Sequence, residues 1–225
     1  MNDNSPYVVT IDGPGGSGKG SLALSVAKEL GFHLLDSGAI YRLLALKAMR
    51  EGVDLDDSEA LIGLLDHFDI RFETGDELSI PLLDNEDVSA VLRTEETGDA
   101  ASRVARHGPV RSALLAVQRA FFKAPGLVAD GRDMGSVVFP EARFKFFLYA
   151  SIEIRAQRRY KQLINMGLSA NIAQLEADMS ERDERDRNRE ASPLLPADDA
   201  MVVDSSLLDL NQVTELVLGH IRDNG

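Results

Sequence analysis

The chain has 225 residues, of which 44% are hydrophobic, and it carries a formal net charge of −13 with no cysteine and four histidines. That size and apolar content suffice for a single domain with one core and room for an inserted lobe. The negative charge disfavours nucleic acid polymers and anionic membranes as partners, and the lack of cysteine excludes disulfides and thiolate metal sites. Residues 1–6 lack the pattern of a signal peptide and no apolar run reaches the ~20 residues of a membrane span, so we expect a cytoplasmic protein.

Five apolar runs predict strands, at residues 7–11, 32–35, 127–129, 144–149 and 201–203. Most are followed by a helical period, and this alternation predicts an α/β fold in which a parallel sheet is flanked by helices. Residues 70–72 and 78–80 flank a Thr-Gly-Asp-Glu turn signal and predict an antiparallel hairpin, which does not belong in a parallel core. With helices predicted over residues 95–104 and 109–123, we place an inserted lobe at residues 67–107 within a domain of residues 1–225.

The most informative segment follows the first predicted strand and consists of Gly13, Pro14, Gly15, Gly16, Ser17, Gly18, Lys19, Gly20 and Ser21. Glycines let backbone N–H groups point inward around phosphates, the next helix adds its positive dipole end, and Lys19 can reach the β- and γ-phosphates of a nucleotide. The spacing fits G-x-x-x-x-G-K, but Gly20 replaces the usual Ser or Thr and the hydroxyl comes later, at Ser21. The alternative is a plain glycine-rich turn, but the lysine and the flanking elements favour a phosphate loop.

Polar side chains follow two more predicted strands. Ser37 stands at the start of a helix with Arg42 about one turn later, so both could hold a second phosphate; alone, they would be a Ser helix cap and a solvated arginine. The strand at 127–129 ends in Asp130, which is a candidate for metal-bound waters or simply orders an Asp-Gly turn. Asp204 is a rival for the metal role. Arg132 and Asp133 come next, either as ligand contacts or as an ion pair.

Positive charge is concentrated in two places of the C-terminal half. The first contains Arg155, Arg158, Arg159 and Lys161, and its members Arg155 and Arg159 share a helix face by their i, i+4 spacing. In the second, Arg182, Asp186 and Arg189 lie at i, i+4 and i+7, so one face could direct two guanidinium groups and a carboxylate toward a ligand. The alternative is a solvated helix with i, i+4 salt bridges.

Together these motifs resemble nucleoside monophosphate kinases, through Gly18-Lys19-Gly20-Ser21, and the bacterial cytidylate kinase family specifically. The resemblance covers nearly the whole chain and rests on residues 11–14, 34–42, 129–135 and 182–189, in the family's order. The departures are Gly15, Ser21 in place of threonine, and His107-Gly108 ahead of Pro109. None of them removes a side chain that is expected to contact a ligand.

The resemblance implies an enzyme that transfers the γ-phosphate of ATP to CMP or dCMP with the help of Mg²⁺. Asp130 would hold the metal through water, and a lid at residues 155–172 would close over ATP. ATP would be bound by loop residues 13–21 and by Arg155. The catalytic residues would be Lys19, Arg132, Arg159 and Arg189. The acceptor phosphate would meet Ser37, Arg42, Arg132 and Arg189; cytosine would meet Ser102, Arg111 and Asp133; and Arg182 and Asp186 would contact sugar or phosphate.

We expect a monomer. One alternative is a P-loop kinase that acts on another nucleotide or small metabolite. A nucleotide-binding switch protein is a weaker one, because the guanine-reading Asn-Lys-x-Asp motif does not occur in the sequence.

Overall fold

The structure is a computed structural model that describes residues 5–73, 80–165, 167 and 169–225. Its elements follow the chain in the order β1 (Tyr7–Asp12), α1 (Lys19–Leu30), β2 (His33–Asp36), α2 (Ser37–Glu51), α3 (Ser58–Gly63), β3 (Ile70–Glu73), β4 (Ile80–Leu83), β5 (Glu86–Asp87), α4 (Ser89–Leu92), α5 (Glu95–Val104), α6 (Gly108–Arg119), β6 (Gly126–Gly131), β7 (Phe144–Tyr149), α7 (Ile152–Asn165), α8 (Ile172–Arg187), β8 (Met201–Asp204) and α9 (Leu210–Asn224). Single turns of 3-10 and π helix lie at Leu64–His67 and Met134–Val138. Across these described ranges, no helix is both long enough and apolar enough to cross a membrane.

The chain forms two compact units. The first combines Met1–Leu35 with Arg119–Gly225, and the second is Asp36–Gln118. The sheet of the first unit has the strand order β2-β6-β1-β7-β8, and the pairings of β1 with β6, β1 with β7 and β7 with β8 are parallel. The predicted α/β fold is therefore confirmed, and the five predicted strands are present with ends shifted by at most two residues.

The central strands of this sheet are buried almost along their whole length, as expected when helices cover both faces. One apolar cluster joins β1, β6, β7 and β8 to helices α1 and α9, and it includes Ile11, Leu22, Val26, Phe146, Val217 and Ile221. Burying a large aliphatic side chain stabilises a fold by about 1.5–3 kcal/mol. This core therefore fixes both ends of the glycine-rich loop, which runs from β1 to α1, and brings the carboxyl ends of β1 and β6 side by side.

The second unit has its own apolar cluster, formed by side chains of α2, α4 and the β3–β4 pair such as Leu43, Leu83 and Leu92. Antiparallel pairing of β3 with β4 confirms a hairpin here, but its second strand runs from Ile80 to Leu83 and shares only Ile80 with the predicted residues 78–80. Residues 74–79, which include the predicted turn and the start of that predicted strand, lie outside the described residues. Helix α5 has the predicted bounds, but α6 starts at Gly108, one residue before the predicted start, and ends at Arg119, four residues before the predicted residue 123. The lobe predicted at residues 67–107 falls inside the longer second unit, and its bounds stay a prediction.

Candidate functional site

The glycine-rich loop leads directly from β1 into the N-terminus of α1. Gly13 has a φ of +152°, and a Cβ at this position would lie 2.2 Å from the carbonyl oxygen of Leu148. Only glycine lets the chain leave the sheet at this point. Helix α1 starts at Lys19 and has no acidic side chain in its first turn, so the positive end of its dipole is available to an anion. These features fit the phosphate-binding interpretation.

Lys19 and Asp130 meet at the ends of the neighbouring strands β1 and β6. Lys19 Nζ donates to the carbonyl oxygen of Pro14 at 3.3 Å and lies 4.0 Å from Asp130 Oδ1. The two side chains are only 11% and 8% exposed, and their charges interact more strongly there than in water. A lysine held over the loop with a carboxylate beside it can serve both a phosphate and a cation.

Gly20 gives a physical reason for the unusual loop sequence. A Cβ at this position would lie 3.2 Å from Asp130 Oδ2, so a serine or threonine would press on the carboxylate. Glycine leaves that space open, and the hydroxyl follows at Ser21. No group of three or more His, Cys, Asp or Glu side chains placed to hold a metal occurs in the part of the chain that the structure describes. A cation at this site would therefore need phosphate and water ligands beside Asp130.

Asp204, the rival carboxylate, has a different setting. It ends β8, an exposed position at the edge of the sheet and separated from β6 by two strands. One of its oxygens accepts the backbone N–H of Ser206 at 2.9 Å, and hydrogen bonds from Ser206 hold the pKa of Asp204 below its usual value. This carboxylate orders a turn, whereas Asp130 faces the lysine of the loop.

Asp186, near the C-terminal end of α8, lies between two arginines. Arg132 Nε donates to Asp186 Oδ2 at 3.0 Å, and Arg189 Nη2 lies 3.8 Å from Asp186 Oδ1. Burial would raise the pKa of Asp186, but Arg132, Arg189 and Arg182 hold it below its usual value. The structure thus brings Asp186 of α8 together with Arg132, and Asp133, which is 3% exposed, follows Arg132 directly. The prediction of one helical face is wrong for Arg189, because α8 ends at Arg187 and Arg189 reaches Asp186 from the segment after the helix. Two guanidinium groups around one carboxylate leave positive charge for an anionic ligand.

Arg155 is fully buried and connects the loop to α8. Its Nη1 donates to the carbonyl oxygen of Gly15 at 2.9 Å, and its Nε donates to that of Ala150 at 3.0 Å. Its Nη1 and Nη2 donate to the two carboxylate oxygens of Asp183 at 3.2 and 2.6 Å, and both side chains are about 2% exposed. The predicted contact of Arg155 with ATP stays a prediction. The structure shows in addition that Arg155 binds the backbone of the loop through the Gly15 carbonyl. No local sequence pattern indicated that Asp183 would be its ion-pair partner.

Arg158 belongs to a run of positively charged residues for which the sequence predicted no specific contact of Arg158. Its Nη1 donates to the carbonyl oxygen of Ser17 at 3.1 Å, and its Nη2 donates to that of Ser205 at 2.6 Å. A cavity of about 210 Å³ adjoins these residues, and its walls include Ser21, Leu22, Leu148, Leu208, Leu210 and Val213. Spacing could have pointed to Arg158, because it follows Arg155 by three residues on one helix. Arg159 donates to Gln162 at 2.7 Å on the same helix.

Ser37 and Arg42 lie in the second unit, at the start of α2. The helix is capped by Asp36, whose carboxylate accepts a backbone N–H of the first turn at 2.9 Å. The alternative of a Ser37 cap is therefore wrong, and Ser37 Oγ donates instead to Gln118 Oε1 at 2.8 Å. Arg42 is not simply solvated, since its Nη1 donates to the carbonyl oxygen of Leu92 at 2.6 Å. Both side chains are thus held in place within this unit.

Ser102 and Arg111 are polar residues buried in the same unit, with exposures of 7% and 8%. The Ser102 hydroxyl makes no hydrogen bond among the described residues, which is costly for a buried group and is relieved when a ligand supplies a partner. Arg111 Nη1 donates to the carbonyl oxygen of Ala105 at 3.2 Å, and its guanidinium lies 5.4 Å from the centre of the Tyr41 ring. That cation–π contact orients the arginine.

Comparison with known proteins places the chain in a family. The model of the family described as "Cytidylate kinase" matches residues 9–223. A cytidylate kinase from Vibrio parahaemolyticus is 55% identical over 222 residues, covering 99% of this chain and 98% of the relative. Another, from Vibrio cholerae, is 54% identical over the same length, with the same coverage of both chains. Among solved structures, a gluconokinase from Sinorhizobium meliloti is 16% identical with a TM-score of 0.49, covering 97% of this chain and 94% of the other, a likeness that carries no functional argument. The chain belongs to the cytidylate kinase family.

Proposed function

We infer that this protein is a cytidylate kinase, which transfers the γ-phosphate of ATP to CMP and dCMP by in-line displacement and releases the diphosphates. The observation that carries this conclusion is the family match over nearly the whole chain. The site supports it, because a phosphate loop whose lysine lies beside a buried carboxylate is suited to a nucleoside triphosphate. The arginines gathered around Asp186 are suited to a second anion.

On the donor side, we assign the phosphates of ATP to loop residues 13–21, with Lys19 neutralising the β- and γ-phosphates. The cavity beside Ser17 and Arg158 has apolar walls and a few polar groups, which is the composition of small-molecule sites. We assign the nucleoside of ATP to it. Arg155 supports the loop through its hydrogen bond to the Gly15 carbonyl oxygen. Arg159 belongs to the lid proposed for residues 155–172, which would keep water from accepting the phosphoryl group.

We assign the magnesium ion of the donor to Asp130, through water. Mg²⁺ usually keeps several waters and binds proteins through one or two carboxylates together with substrate phosphates. The residues fit this, because Asp130 is a buried carboxylate at the loop and Gly20 leaves space beside it. When bound, the ion would neutralise phosphate charge during transfer.

On the acceptor side, we assign the phosphate of CMP to Ser37, Arg42, Arg132 and Arg189, its base to Ser102, Arg111 and Asp133, and its sugar or phosphate to Arg182 and Asp186. Cytosine carries an amino donor next to a ring nitrogen and a carbonyl oxygen that accept hydrogen bonds. A carboxylate such as Asp133 complements the donor, and a guanidinium such as Arg111 complements the acceptors. The Ser102 hydroxyl, which has no partner within the described residues, offers a further polar contact.

The chemistry needs no general base from the protein. The second pKa of a phosphate monoester is about 6, so the attacking oxygen of CMP is already mostly deprotonated at neutral pH. Catalysis then consists of aligning two polyanions and neutralising the charge that develops on the transferred group. Lys19, Arg132, Arg159 and Arg189 are the residues we assign to that task.

An assay of ADP formation with ATP, Mg²⁺ and each nucleoside monophosphate tests the function. We expect CMP and dCMP to be the best acceptors, followed at a distance by UMP, because Asp133 faces an amino group in cytosine and a carbonyl in uracil. AMP or UMP as the preferred acceptor would contradict the assignment of the base. A wild-type protein that hydrolyses ATP but phosphorylates none of these acceptors would contradict the function itself.

We also propose that the protein acts as a monomer in the cytoplasm, without nucleic acid or membrane partners. The support is its charge of −13, which opposes association with polyanions and with other copies of the chain. Size-exclusion chromatography with light scattering should give a single species of 24.5 kDa. A species of twice that mass would contradict the monomer.

A further inference from the structure

Asp12 is a buried carboxylate that the proposed mechanism does not use. It is the last residue of β1 and is 5% exposed. Its Oδ1 accepts the backbone N–H of Met134 at 2.8 Å, and its Oδ2 accepts that of Gly135 at 2.8 Å. Hydrogen bonds to an ionised carboxylate are roughly twice as strong as neutral ones. Such a pair fixes the backbone of Met134 and Gly135 to the end of β1.

The two N–H groups belong to the segment that carries Arg132 and Asp133. Met134 starts the single helical turn Met134–Val138, and Asp133, in the capping position, does not cap it with its own side chain. Asp12 supplies the cap from the neighbouring strand, which leaves the Asp133 carboxylate for other partners. The segment lies tightly against β1, since a Cβ at Gly135 would come within 2.8 Å of the Thr10 hydroxyl.

Asp12 is also bonded directly to the phosphate loop, through Gly13. The backbone there is held at the end of the sheet by the close approach to the carbonyl of Leu148. One residue therefore joins the loop assigned to the donor and the segment assigned to the acceptor. In-line transfer depends on this spacing, because a misplacement of 1 Å can cost about 100-fold in rate.

We propose that Asp12 is a positioning residue, whose carboxylate sets the place of Arg132 and Asp133 relative to the phosphate loop. It acts through two backbone N–H groups and not by touching a substrate. The inference rests on the proposed assignment of Arg132 and Asp133 to CMP.

Steady-state kinetics of Asp12→Asn in the full-length protein test this inference. The amide keeps one accepting oxygen but sets its NH₂ group against the second backbone N–H, so one of the two hydrogen bonds is lost. The assay is run at pH 8, because burial raises the pKa of Asp12 to about 7. We expect the KM for CMP to rise about tenfold or more, as the loss of one bond to a charged group allows, while the KM for ATP changes less than twofold.

Thr10→Val is the matched control. Thr10 is buried on the same strand two residues earlier, and its hydroxyl makes no hydrogen bond among the described residues. Its kinetic constants should equal those of the wild type. If Asp12→Asn leaves the KM for CMP unchanged, or raises the KM values for CMP and ATP equally, the carboxylate has no acceptor-specific positioning role and the inference is overturned.

Arg132→Met separates a failure of this inference from a failure of the proposed function. If Arg132→Met impairs CMP kinetics and Asp12→Asn does not, the inference fails and the assignment of the acceptor site stands. If Arg132→Met leaves CMP kinetics unchanged, the acceptor assignment fails and the inference with it. The double variant should raise the KM for CMP by less than the product of the two single effects, since Asp12 acts on CMP partly through Arg132; a full product would show that Asp12 does not act through Arg132 and would overturn that part of the inference.

A second variant covers the case in which Asp12→Asn does not fold. Asp12→Glu keeps the charge and both accepting oxygens but moves them by one methylene. We expect a folded protein with a raised KM for CMP and a nearly unchanged KM for ATP. Wild-type kinetics for both substrates would show that the position of the carboxylate does not matter and would overturn the proposal.

Discussion

The buried pair of Arg155 and Asp183 allows a quantitative test of how the loop is supported. Asp183→Asn preserves the shape of the side chain but leaves the guanidinium without its balancing charge, at a place where each residue is 1% exposed. Breaking a buried ion pair in this way lowers the free energy of unfolding by about 3–5 kcal/mol, because the remaining charge stays poorly solvated. For a chain of this size, each kcal/mol lowers Tm by about 2–4 °C, so the expected fall is roughly 6–20 °C.

Urea and thermal unfolding at pH 7, followed by circular dichroism, measure this loss. The control is Glu215→Gln, which breaks a pair with Arg222 in the same unit whose side chains are 75% and 67% exposed; we expect no measurable change. Replacing both buried partners, as in Arg155→Met with Asp183→Leu, should recover much of the stability because no buried charge is left unpaired; Arg187, which also lies 4.0 Å from Asp183, is half exposed and stays solvated. The double replacement should not recover activity, since the Gly15 carbonyl would lose its donor. A loss below about 1 kcal/mol for Asp183→Asn would refute the reasoning.

Three further substitutions and one titration test the site. Lys19→Ala should fold normally and lose most phosphoryl transfer, because its charge serves the transferred group; near-normal turnover with ATP and CMP would contradict this. Arg189→Met should lower kcat strongly with little change in Tm, whereas early melting with full activity of the folded fraction would indicate a structural salt bridge. In the wild type, the uracil carbonyl could not donate a hydrogen bond to Asp133, at a cost of about 1–3 kcal/mol per buried group, so kcat/KM should favour CMP over UMP by at least about tenfold. Asp133→Ala should therefore lose CMP activity far more than UMP activity, and equal losses would count against base recognition. Burial, opposed by two backbone N–H groups, raises the pKa of Asp12 from 3.8 to about 7, so the folded state holds a proton that the unfolded chain has released. Stability should therefore fall between about pH 4 and 7, by at most about 1.4 kcal/mol per unit, and urea titrations should show that Asp12→Asn lacks this component.

Local patterns predicted the parts of the site that lie next to one another in sequence. The phosphate loop, Asp130 and the face of α8 with Asp186 could be found this way, because strand ends and helical spacing place side chains by rule. The pairing of Arg155 with Asp183 could not, since the partners lie 28 positions apart on different helices. The partners of Asp12 are more than 120 positions away, and no local pattern reveals such a contact.

The cap of α2 shows a different limit of sequence reasoning. Asp36 and Ser37 are adjacent, and both residue types are good helix caps. Which of them caps depends on where the backbone leaves the extended conformation, and the structure puts that point at Asp36. Ser37 is thereby left inside the helix, where its hydroxyl donates to a side chain 81 positions later.

That hydrogen bond, from Ser37 to Gln118, joins the two ends of the second unit, which runs from Asp36 to Gln118. A segment whose ends meet behaves as an insertion, since it needs only one narrow gap in the chain that carries it. Such a cassette can change its length or content, in evolution or by design, without disturbing the strand order that builds the phosphate loop. The base contacts assigned to this cassette, Ser102 and Arg111, can then vary without changing the sheet that carries the phosphate loop, whereas Asp133, Arg132 and Arg189 belong to the first unit and stay with that sheet.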